Sequence, residues 1–392
     1  MRWSYRLIKG EGKVLSVAIS SDGEFIVAGG SDHLVYFFNK ESKLLWRFKT
    51  KGTVNSVSIS SNGELIGVAS EDHNVYLLDR LGRRLQVYEM NGRVTGISMT
   101  SDGSLITIGS NRRVSLIDRE GDILWEHESD DFIDKVAIST GGTIIAAIGY
   151  SDRMYPIESY LKDRDGNTLF FQDVVQATQG RVYLFDNKGK LLGEHRVPLE
   201  LRSIGISDDG DLLIGSPSDS RTYLLDIQGN LLMEYYLGGP SAISVAPDGG
   251  MFILGFHDYN IYGVDRSGAL LWNIEAPGPV NSISFAFDRG FIAVGAGNNI
   301  IFSEAIAPFI VDFKESLSSF IGNKDRTQLD HIMDASTKLS SSMIKSIVKR
   351  ASINRGLKPE KILYSLASLY ERAGIIQKAT ALYKHAKNIK SS

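Results

Sequence analysis

A phrase of about ten residues recurs along this chain at a spacing near forty, and no other feature restricts the fold as much. "VLSVAISSDG" (Val14 to Gly23) returns as "VNSVSISSNG" (Val54 to Gly63), "VTGISMTSDG" (Val94 to Gly103), "IDKVAISTGG" (Ile133 to Gly142) and "LRSIGISDDG" (Leu201 to Gly210). Two looser copies, "SAISVAPDG" (Ser241 to Gly249) and "VNSISFAFDRG" (Val280 to Gly290), bring the number of units to seven. The closing glycines at 23, 63, 103, 142, 210 and 249 lie 40, 40, 39, 68 and 39 apart, so the fourth unit carries about 28 extra residues. A fixed period of this size marks stacked structural units that share one core.

Inside each unit the periodicity is that of strands. "SVAIS" alternates, "SDG" or "SNG" supplies residues suited to positive φ, and an apolar run such as "EFIVAGG" follows. Next come "VYFF", "VYLL", "VYLF", "TYLL" and "IYGV", apolar on both faces as strands between neighbouring sheets must be. Each unit then ends on a turn and a further strand, as in "NKESKLLW", "DREGDILW" and "DRSGALLW". Four short strands per unit in seven copies predict a mainly β chain: a seven-bladed β-propeller over 1–306. Trp46, Trp125 and Trp272 each stand eight residues before the next unit, whereas the seventh unit ends at "NNIIFSE" without a tryptophan strand. Trp3 is the remaining tryptophan, so an N-terminal strand is expected to complete that blade and close the ring, removing a free sheet edge.

These residues resemble the WD-repeat and pyrroloquinoline-quinone-type propeller superfamily over about 1–306. The sequence lacks the Trp-Asp and Gly-His dipeptides of WD repeats, and its Asp-x-x-Gly-x-Leu-Leu-Trp turn is similar to the docking motif of quinoproteins, one residue shorter. The calcium ligands of quinone-dependent enzymes are not identifiable, so no cofactor is expected.

Beyond residue 306 the period becomes helical. "SSSMIKSIVKRASI" places Met343, Ile344, Ile347, Val348 and Ala351 on one face, and Pro359 suits a first helical turn. The stretch "ILYSLASLYERAGIIQKATALYKHA" resembles a tetratricopeptide repeat, with Leu363, Leu366, Ala367, Tyr370, Ala379, Tyr383 and Ala386 at its packing positions. A small α-helical domain over 307–392 is therefore expected, either as a cap within the chain or as a partner-binding hairpin to which Tyr370 and Tyr383 would contribute. Charge divides the same way: 28 Lys and Arg against 40 Asp and Glu precede Lys314 and 15 against 6 follow from it, leaving about −12 and +9.

Chemistry-bearing residues are sparse. The absence of cysteine excludes disulfides, thiolate metal sites and cysteine nucleophiles. Asp32, Asp72, Asp219 and Asp258 each precede a strand tyrosine by four residues, on equivalent turns at one end of the propeller, with His33, His73 and His257 beside three of them. They form either a partial acidic ring facing a partner or carboxylates capping their own turns. Metal binding and catalysis are not expected of them, since regular recurrence suits a turn. The repetition fails at Tyr150 to Gly180, where "YLKDRDGNTLFF" predicts a projecting hairpin at about 150–180 with Tyr155, Tyr160, Phe170 and Phe171 as contact residues.

The fold and these residues predict a non-enzymatic scaffold for protein partners, using a propeller face and the basic helical tail. The alternative is a small-ligand-binding or enzymatic propeller, lyase-like or quinoprotein-like, working in its central channel. Lys345, Lys349, Arg350, Lys384, Lys387 and Lys390 leave nucleic acid open as a lesser partner. No apolar run reaches the roughly 18 residues of a spanning helix, and a cytoplasmic location without membrane contact is expected.

Overall fold

The computed structural model describes residues 3–7, 12–151, 157–162, 168–173, 179–197, 201–216, 221–236, 238–287 and 289–304, and in the tail 344, 348, 359–372, 379–380, 382–384 and 386–387. Tyr155 and Asp219 lie outside the described residues. β2 (Val14–Ile19), β3 (Phe25–Gly30), β4 (Leu34–Asn39) and β5 (Leu44–Lys49) form an antiparallel sheet in chain order. The pattern repeats in β6 to β9 over 54–89, β10 to β13 over 94–128, β20 to β23 over 203–235 and β24 to β27 over 242–275. β14 (Phe132–Ile138), β15 (Ile144–Ser151), β18 (Gln179–Asp186) and β19 (Leu191–Val197) make a further sheet, and between β15 and β18 the hairpin β16 (Ile157–Lys162) and β17 (Thr168–Asp173) stands as its own two-stranded sheet.

β28 (Val280–Ala286), β29 (Phe291–Ala296) and β30 (Asn299–Glu304) are completed by β1 (Trp3–Arg6), with Trp3 opposite Phe302. Among the described residues, then, six four-stranded sheets each come from one stretch of chain, and a seventh is composite. The innermost strands touch in cyclic order: β2 with β6, β6 with β10, β10 with β14, β14 with β20, β20 with β24, β24 with β28 and β28 back to β2. The result is a mainly β propeller, closed by its N-terminal strand.

Each junction between neighbouring sheets holds one hydrophobic cluster. Between the first two sheets it contains Val27, Val35 and Phe37 from one side and Val54, Ile66, Val68 and Leu78 from the other. The third-strand run "VYFF" is buried along its length, as its lack of a polar face requires. Each such side chain contributes about 1.5–3 kcal/mol by burial. Along the channel, N–H groups on the inner edges of β2, β6, β10 and β14 donate to serine hydroxyls of the adjacent sheet. Ser16 Oγ accepts from Val57 N (3.0 Å), Ser58 Oγ from Met99 N (3.2 Å) and Ser282 Oγ from Val17 N (3.0 Å). The serines of the repeated phrase are thus channel-side hydrogen-bond partners between sheets.

The unit-ending motif joins neighbours on the outside. Its aspartate caps a turn: Asp79 Oδ1 accepts from Leu81 N (2.9 Å) and Arg83 N (2.8 Å), and Asp226 and Asp265 do the same. Burial pushes the Asp79 carboxyl up, yet the Arg83 N–H and guanidinium hold it below its ordinary value. The aromatic residue of the preceding unit's outer strand then seals that turn. Trp46 Nε1 donates to Arg80 O (2.8 Å), Trp3 Nε1 to Lys40 O (2.9 Å), Trp125 Nε1 to Asn187 O (3.2 Å) and the Tyr235 hydroxyl to Arg266 O (2.6 Å). Only glycine serves at position 82, where φ is +77° and a Cβ would meet Trp46 Cδ2 at 2.8 Å.

In the tail, α1 (Pro359–Arg372) buries Leu363, Leu366, Ala367 and Tyr370, a stripe at i, i+3, i+4 and i+7. They share one hydrophobic cluster with Ile344, Val348, Ala379, Leu382 and Ala386 and with Met251, Trp272, Phe285 and Ile292 of the sixth and seventh sheets. Lys384 Nζ lies 3.2 Å from Asp209 Oδ1, on the turn between the first and second strands of the fifth sheet. Among the described residues no helix is long and apolar enough to cross a membrane.

Candidate functional site at the channel mouth

The first strands of the propeller are irregular at one residue. Pairing of β2 with β3 shifts register between Val14 and Ser16, and the same shift falls between Val54 and Ser56, Val94 and Gly96, Ile133 and Lys135, and Val280 and Ser282. The unpaired residues are Leu15, Asn55, Thr95, Asp134 and Asn281. A bulge kinks its strand and re-aims the extra side chain. All five line a cavity of about 270 Å³ at the mouth of the channel, together with Arg202 and Ser241, which hold the same place in the fifth and sixth units. The mouth is thus made from the second letter of the repeated phrase in every unit.

Its lining is polar and uneven in charge. Asn55 Nδ2 donates to Val94 O and Asn281 Nδ2 to Val14 O, both at 2.9 Å, while Thr95 Oγ1 donates to Ile133 O (2.7 Å) and Ser241 Oγ to Val280 O (2.5 Å). These neutral groups bind neighbouring sheets to one another. The charges gather in the third to fifth units as Arg93, Asp134, Lys135 and Arg202, with Glu71 beside them. Arg93 pairs with Glu71 at 3.4 Å, and Lys135 stands where the first, second, fifth and seventh units have serine.

Asp32, Asp72 and Asp258 occupy turns at this same end, yet none lines the cavity. Asp32 accepts from Leu34 N (3.2 Å) and the Tyr36 hydroxyl (2.5 Å), Asp72 from Lys51 N (2.8 Å) and the Tyr76 hydroxyl (2.7 Å), and Asp258 from Asn260 N (3.1 Å). Burial acts to raise the Asp72 carboxyl, but the Tyr76 hydroxyl and the Lys51 and Asn74 N–H groups hold it below its ordinary value. Burial and the same Asp72 contact push Tyr76 up to about 12. These carboxylates are committed to their own turns, so what the turns present to the channel is their neighbours Glu71 and His257. His33 and His73 adopt φ of 66° and 69°, the left-handed slot of the turn. Among the described residues no cluster of His, Asp and Glu is arranged to hold a metal ion.

The insertion occupies the same turn position in the fourth sheet, and its paired strands bring Tyr160 opposite Phe170 and Ser159 opposite Phe171. Having lost the turn aspartate, this sheet satisfies its third-strand tyrosine differently. Tyr183 donates to Asp131 Oδ2 (2.8 Å), a buried carboxylate from the loop entering the sheet, and Arg181 Nε binds the same oxygen at 2.8 Å. Arg181 and Asp131 thereby pin β18 where the hairpin returns to the blade. In the tail, Tyr370 is fully buried in the cluster shared with the propeller, which takes it off any free surface. Tyr383 is half-buried, its hydroxyl donating to Glu371 Oε2 (2.8 Å).

The comparisons with known proteins agree with this architecture. Residues 4–39 and 42–79 match the WD40 family, WD domain, G-beta repeat. With the propeller arrangement, the two matches support the WD-repeat propeller superfamily, whose members are typically scaffolds for protein interactions. No curated protein matches the chain.

The recurring turn aspartates and the inserted hairpin stand out in the sequence, whereas Asn55, Thr95, Asp134, Lys135 and Arg202 do not. The signal is available in the repeat itself: the second letter of "VLSV", "VNSV", "VTGI", "IDKV" and "LRSI" changes from unit to unit, while its neighbours stay apolar or small except at Lys135 of "IDKV".

Proposed function

We propose that this protein is a non-enzymatic scaffold that receives protein partners on the end of the propeller carrying the channel mouth. The observation that supports this most is a coincidence of position. The polar cavity lined by the second letter of each unit, and the hairpin that no other unit has, share one end of a rigid ring. Loops on such a frame are where binding residues concentrate, and aromatic residues anchor interfaces. Tyr155, Tyr160, Phe170 and Phe171 are the hairpin residues assigned to contact, with Asp32, Asp72 and Asp258 supporting the turns around them and Asp219 assigned to the same acidic set.

The helical tail is the second surface in this reading. It is tetratricopeptide-like, and because Tyr370 faces the propeller its partner contacts fall to exposed groups such as Tyr364 and to Tyr383. A role for the basic tail in nucleic-acid binding is less favoured, since Lys384 already pairs with Asp209 of the propeller. The charged lining of the cavity supports one alternative, a small-ligand-binding propeller using its channel. A cytoplasmic location completes the proposal.

Affinity capture from a cytosolic extract, with the intact chain and with 152–178 replaced by a short Asp-Gly turn, tests this reading. Partners recovered by the intact chain and lost with the hairpin support it. Capture unaffected by the replacement, or no capture by either form while both keep their folded circular dichroism, would overturn it.

A further inference from the structure

We infer that the outer cleft between the second and third sheets is a pocket for one tyrosine side chain of an extended partner segment. The inference names a side chain that the partner would bring, so it rests on the scaffold reading above.

The repeat itself shows what this cleft lacks. Five units carry a tyrosine at the equivalent place of their third strand, namely Tyr36, Tyr76, Tyr183, Tyr223 and Tyr262, and the seventh has Ile301. The third unit has a small residue there, Ser115. Its turn is also one residue shorter and has no aspartate, so it has no counterpart of Tyr36 with Asp32 (2.5 Å) or Tyr76 with Asp72 (2.7 Å). The ion pair that frames the tyrosine is nevertheless kept. Arg181 with Glu194 (3.0 Å) flanks Tyr183, Arg221 with Glu234 (3.1 Å) flanks Tyr223, and Arg113 with Glu126 (3.2 Å) holds the same place around Ser115. A frame that surrounds tyrosine elsewhere therefore stands without one. Beside it opens a cavity of about 250 Å³, lined by Arg113, Glu126, Met90, Asn91, Glu89 and Glu128.

The second sheet does not fill the space either. At the junction of the first two sheets Phe48 packs edge-on against Tyr76 at 5.3 Å. Tyr88 has the place of Phe48 in the next unit, but its hydroxyl donates to Glu120 O (2.8 Å) at the far end of the blade, on the turn that Gln86 leaves without a tryptophan. Met90, packed on the core of this junction, offers apolar ground for a ring.

The mixed charge of the lining suits a neutral polar guest. Both arginines are engaged, Arg113 with Glu126 and Arg112 with Asp130 O (2.8 Å) and the face of Phe132 (4.5 Å). Glu89 and Glu128 have no ion pair or side-chain hydrogen bond among the described residues, and they can accept from a phenol O–H as Asp32, Asp72 and Asp131 do in other units. Arg113 can lie over the guest ring as Arg181 lies over Tyr183 at 5.7 Å. A basic guest would be opposed by Arg112 and Arg113, and a phosphotyrosine by Glu89 and Glu128.

The test uses the full chain and acetylated, amidated hexapeptides of glycine and serine with one central tyrosine, phenylalanine, alanine, arginine or phosphotyrosine. Titration followed by nuclear magnetic resonance reads the weak binding that a single side chain allows. The tyrosine peptide is expected to bind with a Kd on the order of 1 mM, at least tenfold more tightly than the alanine and phosphotyrosine peptides and about fivefold more tightly than the phenylalanine peptide. Ser115→Tyr gives the third unit the side chain of five others, fills the cavity, and should abolish the binding without loss of stability in urea unfolding. Glu128→Gln, at an exposed site, should reduce the preference for tyrosine over phenylalanine about threefold. No binding of the tyrosine peptide at about 10 mM, or binding undiminished by Ser115→Tyr, would sink the proposal. Should Ser115→Tyr not fold, Glu128→Gln decides, and an unchanged preference for tyrosine counts against the pocket. Tighter binding of the arginine peptide would replace the tyrosine with a basic side chain. The hairpin belongs to the fourth sheet, so its replacement leaves this binding in place, and partner capture through the hairpin stands or falls separately.

Discussion

The chemistry of single side chains in this protein goes mostly into turns. Asp102 shows the pattern: its Oδ1 accepts from Ser104 N (2.9 Å), Ser104 Oγ (2.8 Å) and Thr100 Oγ1 (2.7 Å). The Ser104 N–H first, then the two hydroxyls, hold its carboxyl down at about 2, against a burial effect that would raise it. A depressed folded value means that this stabilisation is complete above the ordinary aspartate value near 3.8 and disappears as pH falls toward 2. Asn62 fills the same place in the second unit, accepting from Ser60 Oγ (2.8 Å) and Glu64 N (3.1 Å) without titrating. Asp102→Asn is therefore expected to fold normally at neutral pH and to lose less stability than the parent between pH 4 and pH 2. For so exposed a group the difference is at most about 1 kcal/mol, measurable by urea unfolding across that range. Turn aspartates were legible in the sequence because Asp-Gly and Asn-Gly pairs have few other uses. The channel residues are less so, because the bulge that aims them depends on pairing with another strand, and only the unit-to-unit variation of the second letter marks them. Leu15 and Arg202 share a place in space without sharing any chemistry.

Strands and their order could be read almost entirely from the repeat, since period-two alternation and a glycine after each first strand specify four strands per unit. The part that needed long-range reasoning, the pairing of β1 with β30, was nevertheless visible in the missing tryptophan of the last unit. Trp3 stacks on Phe302 at 5.6 Å and packs on Phe38 at 5.4 Å, so β1 bridges the seventh and first sheets. Removal of residues 1–6 leaves β30 with an unpaired edge and strips aromatic surface from the junction. The expected outcome is a loss of several kcal/mol in chemical denaturation together with concentration-dependent association in size-exclusion chromatography. A truncated form that stayed monomeric and equally stable would show that closure does not depend on β1. The letters of the insertion predict strand, turn, strand, and its two strands, β16 and β17, pair antiparallel. The rewiring at its base was not foreseen, because Asp131 is 52 residues from Tyr183 and belongs to a different loop.

Taken as one body, the chain sets an acidic ring against a basic helical tail, yet apolar contact rather than charge joins them. The described ion pair, Lys384 with Asp209, is about two-thirds exposed on both sides and is screened accordingly. Asp209→Ala should therefore shift stability by less than about 0.5 kcal/mol. Deleting 359–392 removes Leu363, Leu366 and Tyr370 from a cluster that includes Met251, Phe285 and Ile292, and should expose enough apolar surface to bind a hydrophobic dye. A dye signal unchanged by that deletion, with a large effect of Asp209→Ala, would reverse the assignment. The composite sheet also has a consequence in time. Trp3 leaves the ribosome almost three hundred residues before its partner Phe302, so β1 must wait, unpaired, through the synthesis of six complete sheets. Contacts so distant along the chain form late, since loop closure must be met before pairing returns anything, and until then the last sheet offers a bare edge to any passing strand. Ring closure is thus the slow and exposed moment in the life of this protein, and the one at which a chaperone has most to protect.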